Sequence, residues 1–169
     1  DVRVPSGQIV GNRGEGWRVA NVILGNERDS LATSGQSLSR LNQTIELMKR
    51  ETVDGRRVID DPVFLDRLMR LQGRVLSAKL NSGQDATMAR LITKLQGTEL
   101  RHEIEALAID AMGEHGVAYG DNPYLRDEGS FQFWYMFYLG LIIGGGTSQI
   151  QKNIIAERGL GMPKEPRLA

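Results

Sequence analysis

Cysteine is absent from the 169 residues, which excludes a disulfide framework and thiolate metal sites and favours a cytoplasmic setting. Imidazole is nearly absent too. Only His102 and His115 could supply it, and neither has partners at a spacing that suits a zinc site or a nucleophile–histidine–acid triad. Charge of one sign is not in excess: 21 Lys and Arg balance 21 Asp and Glu, so no global field draws the chain to nucleic acid or to an anionic membrane. Even the densest charged stretch, RETVDGRRVIDD, mixes both signs and reads as a solvated face. No apolar run reaches the roughly 18 residues of a membrane span. The longest approach, from Phe131 to Ile143, is broken by Gln132 and Gly140, so a soluble protein is expected. The chain opens on Asp1 without a methionine or a targeting pattern, which leads us to expect a piece of something longer.

What is present is helical periodicity. Residues 1–14 alternate Val2 and Val4 with polar neighbours and then run through Pro5, Gly7, Gly11 and Gly14, which predicts a strand end followed by loop. From Gly16 to about Lys49 apolar residues recur at helical spacing without a proline, and a helix of about 30 residues is expected there, with Trp17 anchoring its entry. Gly55 interrupts the pattern. Asp61 then caps a second helix that begins at Pro62 and runs to about Leu80. A third helix carries Met88, Leu91, Ile92, Leu95, Leu100, Ile104 and Leu107 inside and ends at the Gly113 and Gly116 punctuation. The last helical segments are FQFWYMFYLGLII and TSQIQKNIIAERGL. Long helices with short connections predict an all-α, antiparallel four-helix bundle preceded by a short extended segment. The aromatic row Phe131, Phe133, Trp134, Tyr135, Phe137 and Tyr138 is read as core or subunit interface, and His102 as a solvated helix residue.

The stretch GGGTSQIQKN, from Gly144, turns from loop to helix within a few residues. Its glycines permit close approach, and the first helical turn offers free N–H groups and the positive end of the helix dipole. On the residues alone this is either an ordinary N-cap at Thr147 or a ligand-binding junction. The two ends of the chain carry more. DVRVP, GEGW and ILGNERDSLA at the front, with GGGTSQIQKNIIAERGLGMPKEPR at the back, closely resemble the C-terminal part of acyl-CoA dehydrogenases. The resemblance covers essentially the whole chain.

That resemblance implies a flavoenzyme subunit in which residues 1–14 are the end of a truncated middle β domain with its linker, and residues 15–169 the C-terminal helical bundle. It implies FAD as cofactor, acyl-CoA as substrate, further acyl-CoA dehydrogenase subunits in a homo- or hetero-oligomer, and an electron-transfer flavoprotein as electron acceptor. By matching positions, Gly146, Thr147 and Gln149 are expected to contact the FAD, and Gly113 to lie beside the adenine of a neighbour's FAD. Many members place a catalytic glutamate in the glycine loop, where this chain has Gly145. The isovaleryl-CoA type instead carries it in a Leu-x-x-Glu-Arg pattern on the first long helix. Leu24, Gly25, Asn26, Glu27 and Arg28 match that pattern, so Glu27 is the expected base and Arg28 the expected organiser. A carboxylate there would remove the α-proton of the thioester while hydride passes from the β-carbon to the flavin. Read by itself, Glu27 also fits an exposed helix glutamate.

Two departures from the family pattern matter. Arg-x-Thr-Phe-Gly, which touches a neighbour's FAD diphosphate in many members, is here Arg50, Glu51, Thr52, Val53, Asp54, Gly55. The adenine segment reads AIDAMGEHG, with Asp110 and Glu114 in place of the usual glutamine and glycine. They raise an alternative, that the parent is a noncatalytic structural subunit of a heteromeric dehydrogenase. A related flavin oxidase or monooxygenase on the same fold is a further alternative.

Overall fold

The computed structural model describes residues 1–30, 34–81 and 87–164, with the side chains of residues 25, 27–30 and 87–91 outside that description. Among the described residues six α-helices run α1 Gly16–Ser30, α2 Ser34–Arg50, α3 Pro62–Asn81, α4 Thr87–Ala111, α5 Ser130–Ile143 and α6 Ser148–Ile154. The helix expected across 16–49 thus corresponds to α1 and α2, on either side of residues 31–33, which lie outside the described residues. α4 is the central element and packs against α2, α3 and α5, giving the expected all-α bundle. No helix among the described residues is long and apolar enough to cross a membrane.

Local chemistry accounts for the boundaries. Asp61 Oδ1 accepts from the N–H groups of Val63 at 2.8 Å and Phe64 at 3.3 Å, which satisfies two of the orphan donors at the start of α3. Pro62 takes the first helical position, where a missing N–H costs nothing. Between α2 and α3 lies a small hairpin that the sequence reading passed over: β1 Thr52–Val53 pairs antiparallel with β2 Arg56–Arg57. Asp54 and Gly55 both have positive φ, 50° and 75°, as a type I′ turn demands. At the front, Ser6–Gln8 form one 3₁₀ turn and residues 1–5 join no ladder. An isolated extended segment has no partner for its backbone groups within the described bundle.

The core is built where α2, α3 and α4 meet. Leu41, Met48, Leu68, Val75, Leu100, Ile104 and Leu107 form one contiguous cluster. Ile104 and Leu107 are completely buried, each contributing about 2 kcal/mol relative to an exposed position. A second cluster, Leu47, Ala108, Met112 and Phe131, joins α5 to the others. Two faces stay uncovered by the described residues. On α1, Trp17, Val22 and Ile23 are exposed, Trp17 by 76%, so it does not anchor the helix entry as expected. On α5, Phe133, Met136 and Phe137 are about half exposed, whereas Phe131 and Tyr138 are buried; the aromatic row divides between core and outer face.

Candidate functional site

The α5–α6 junction is held from three sides. Lys94, on α4 and fully buried, donates through Nζ to the carbonyls of Ile142 at 3.0 Å and Gly146 at 2.6 Å. An ammonium at the C-terminal end of α5 also meets the negative end of that helix dipole. Gln151 Nε2 donates to the Gly145 carbonyl at 2.8 Å, and Ser148 Oγ donates to Glu99 Oε1 at 2.7 Å. Thr147 caps α6, its Oγ1 accepting from the Ile150 N–H at 3.3 Å.

Glycine is required here for two reasons. Gly145 and Gly146 have φ of 64° and 105°, a region that costs a residue with a Cβ about 1–2 kcal/mol. A Cβ on Gly146 would also stand 2.7 Å from Gln151 Nε2. The position where a loop glutamate would sit therefore has a backbone shaped for glycine. What remains available on the first turn of α6 is the Thr147 hydroxyl proton, since the cap uses only its oxygen, and the exposed Gln149 amide.

Replacing Lys94 by Met removes the donor from two carbonyls on half-buried residues. We expect a loss of about 2 kcal/mol in chemical denaturation. Faster hydrogen exchange confined to the amides of residues 144–147 would show that the loop, and not the whole bundle, has been released. Uniform exchange through α4 would contradict that role for Lys94.

The expected site residues do not all converge. Gly146, Thr147 and Gln149 lie together at the junction. Glu27 and Arg28 fall on the backbone course of α1, which packs against α4, and their side chains lie outside the described residues. Gly113 opens the 3₁₀ turn Gly113–Val117 beyond the far end of α4. With 17 residues from Lys94 to Ala111, the helix alone puts about 25 Å between Gly113 and the junction. One ligand bound at Thr147 cannot easily reach a Gly113 of the same chain. Gly116 nearby has a packing role, because a Cβ there would meet the Ile109 carbonyl oxygen at 2.4 Å. Arg50 is ion-paired with Asp127, and Asp110 with Arg67 at 2.6 Å. His102 is not solvated as expected: its Nδ1 lies 3.2 Å from the Tyr135 carbonyl and its ring stacks on Tyr135 at 4.6 Å.

A second polar constellation escaped the sequence reading altogether. Along α4, Lys94, Thr98, Arg101 and Glu105 recur at spacings of four, three and four, and all four are buried. This is the apolar-stripe period occupied by polar residues. Arg40 of α2 closes on Glu105 with a forked contact, Nε to Oε1 at 2.7 Å and Nη2 to Oε2 at 2.8 Å. Its Nη1 donates to Gln43 Oε1 at 2.6 Å and to Ser130 Oγ at 3.2 Å, and the guanidinium lies 4.0 Å over Phe131. Burial pushes the Glu105 carboxyl above the ordinary carboxylate range, with the Arg40 contacts pulling against that shift.

Comparison with known proteins is consistent from end to end. Residues 14–160 match the family model described as acyl-CoA dehydrogenase, C-terminal domain. The acyl-CoA dehydrogenase IpdE1 of Mycobacterium tuberculosis (strain ATCC 25618 / H37Rv) is 31% identical over 177 residues, an alignment covering 99% of this chain and 43% of that protein. FadE29 of the same organism is 29% identical over 182 residues, covering 99% of this chain and 45% of its own length. The chain thus spans less than half of these relatives. Among solved structures, the ChsE4-ChsE5 complex from Mycobacterium tuberculosis superposes with a TM-score of 0.82 at 26% identity, over 98% of this chain and 45% of the other. The Tcur3481-Tcur3483 steroid acyl-CoA dehydrogenase gives the same TM-score at 22% identity, over 97% of this chain and 44% of the other, a likeness of fold. With the bundle, the glycine–threonine junction and these matches in agreement, the chain belongs to the acyl-CoA dehydrogenase family and corresponds to its C-terminal domain.

Proposed function

We propose that this chain is the cofactor- and substrate-facing helical domain of an acyl-CoA dehydrogenase whose full-length form oxidises an acyl-CoA thioester to the 2-enoyl-CoA. The observation that carries the reading is the α5–α6 junction. Its loop carbonyls are tied back by Lys94 and Gln151, while the Thr147 hydroxyl and the Gln149 amide stay available on the adjoining turn. Donors and acceptors of that kind suit the polar edge of a flavin, so the residues present fit FAD. FAD, when bound, supplies the acceptor for the hydride that leaves the β-carbon.

In this reading Thr147 and Gln149 bind and orient, and Gly146 lets the loop backbone come close. Glu27 takes the α-proton, with Arg28 organising the site. Position 27 lies one turn beyond Ile23, whose side chain is 60% exposed on an apolar stretch of α1. A face of that character, once covered by substrate or by another domain, would desolvate a neighbouring carboxylate and raise its pKa toward that of a useful base. Gly113, remote from the junction, would serve the FAD of a neighbouring subunit, and residues 1–14 would join the bundle to a middle β domain.

The ChsE4-ChsE5 and Tcur3481-Tcur3483 assemblies support further acyl-CoA dehydrogenase subunits as partners. An electron-transfer flavoprotein is the proposed electron acceptor. The second reading, a noncatalytic structural subunit, is favoured by one observation: Arg50, at best an out-of-register substitute for the diphosphate-contacting arginine, is ion-paired with Asp127. The two readings separate when the full-length protein, purified with any subunit that accompanies it, is mixed anaerobically with a panel of acyl-CoA thioesters. Bleaching of the long-wavelength flavin absorbance is the expected result. A preparation without FAD and without response would establish the structural subunit instead.

A further inference from the structure

Arg101 is 7% exposed, yet its Nε, sealed from solvent, has no hydrogen-bond partner among the described residues. Glu105 Oε1, the carboxylate oxygen it approaches among the described residues, is 3.8 Å from its Nη2, beyond hydrogen-bond reach. Glu105 is in any case committed to Arg40 by three contacts of 2.7 to 2.9 Å. Among the described residues, two guanidinium groups and one carboxylate leave this buried cluster with one positive charge in excess. The Tyr138 ring lies 4.7 Å from the guanidinium carbon of Arg101. Burial lowers its pKa, with Tyr138 and Glu105 acting the other way, but a guanidinium stays protonated at any ordinary pH. A buried cation with unmade hydrogen bonds is unfavourable unless an anion completes it.

Arg101 lines a cleft of about 390 Å³ between α2, α4 and α5. One edge is polar, with Gln36, Ser39 and Gln43 of α2; the opposite wall is Trp134, Tyr138 and Leu141 of α5. The volume lies in the range of small-molecule sites, and few convergent polar groups against an apolar wall is their usual make-up. We propose that this cleft binds a small organic carboxylate, its carboxyl group paired with Arg101 and its apolar body against Trp134 and Leu141. An inorganic phosphate fits less well, because a wholly hydrated dianion would face the aromatic wall and meet only one excess positive charge. The inference is independent of the reading of the α5–α6 junction.

Calorimetric titration of the full-length protein with benzoate, its neutral isostere benzamide and inorganic phosphate tests this. Benzoate should bind at one site per chain, with benzamide and phosphate at least tenfold weaker. Arg101→Gln should weaken benzoate at least tenfold. Trp134→Ala, on the half-buried wall, should weaken it several-fold with the circular dichroism unchanged, which guards against loss of folding in the first variant. Benzamide binding as well as benzoate, phosphate binding more tightly than benzoate, an affinity indifferent to Arg101, or no binding because a subunit already fills the cleft would each overturn the proposal.

Discussion

Glu27→Gln in the full-length protein is expected to slow bleaching of the bound flavin by acyl-CoA by about a thousandfold, with flavin content unchanged. Glutamine keeps the size of the side chain and loses only the ability to take a proton. The α-hydrogen of a thioester is a weak acid, and its removal needs a base held in place whose pKa has been moved toward neutrality. The glycine loop supplies no such group, because positions 144–146 are all glycine and the backbone at Gly145 and Gly146 lies at positive φ, and Glu99 beside it is taken up by the Ser148 hydroxyl. A carboxylate from α1 is then the proposed source, and α1 leaves Trp17, Val22 and Ile23 uncovered for another surface to dry. If the wild-type rate rises with pH through an apparent pKa near neutrality and the variant has a flat profile, the proton acceptor is identified. Equal bleaching rates in the two proteins would remove Glu27 from the role and leave the base on another domain.

Helix positions were legible in the sequence wherever the signal was local. Asp61 and Pro62 start α3 where an N-cap followed by a first-turn proline should start it, and the apolar period of α4 places Leu100, Ile104 and Leu107 in the core as expected. The hairpin at Thr52–Arg57 had its turn signal in Asp54–Gly55. Its strands are too short to show an alternating pattern, so the signal stood alone. At the junction the glycines and Thr147 were readable, but the groups that hold them were not. Lys94 reaches carbonyls 48 and 52 residues away in sequence, and nothing local announces such a contact. The polar row Lys94, Thr98, Arg101, Glu105 was hidden by a sound prior, since charged residues at helical spacing usually form a solvated face. Its signal was that the row shares α4 with the apolar stripe and has its complement on α2, where Ser37, Arg40 and Thr44 are likewise buried. Trp17 and His102 depart from expectation in opposite directions, the first expected to anchor the helix entry and found exposed, the second expected to be solvated and found stacked on Tyr135.

Arg40→Leu carries the largest expected loss of stability, about 3–5 kcal/mol near neutral pH. Leucine has no group to offer Glu105, which is fully buried and takes forked hydrogen bonds from Arg40. Gln43 and Ser130 would lose their donor as well. Arg101 cannot substitute, since its nearest approach to Glu105 is 3.8 Å and its Nε already lacks a partner. Much of the penalty belongs to the stranded charge, and this gives the variant a pH signature. Burial already holds the Glu105 carboxyl above the ordinary carboxylate range, and loss of Arg40 removes the contact that pulls it down. For an acid whose folded-state pKa exceeds its unfolded value, the stabilising contribution is complete below the unfolded pKa and is lost as pH rises through the folded one. The deficit of Arg40→Leu relative to wild type should therefore shrink on going from about pH 7.5 to about pH 5, as Glu105 takes up a proton and no longer needs a cation. Urea denaturation of both proteins at the two pH values measures it, with the pH dependence of all other groups cancelling in the difference. A deficit that stays constant would mean that Arg40 contributes through its packing on Phe131 and not through its charge.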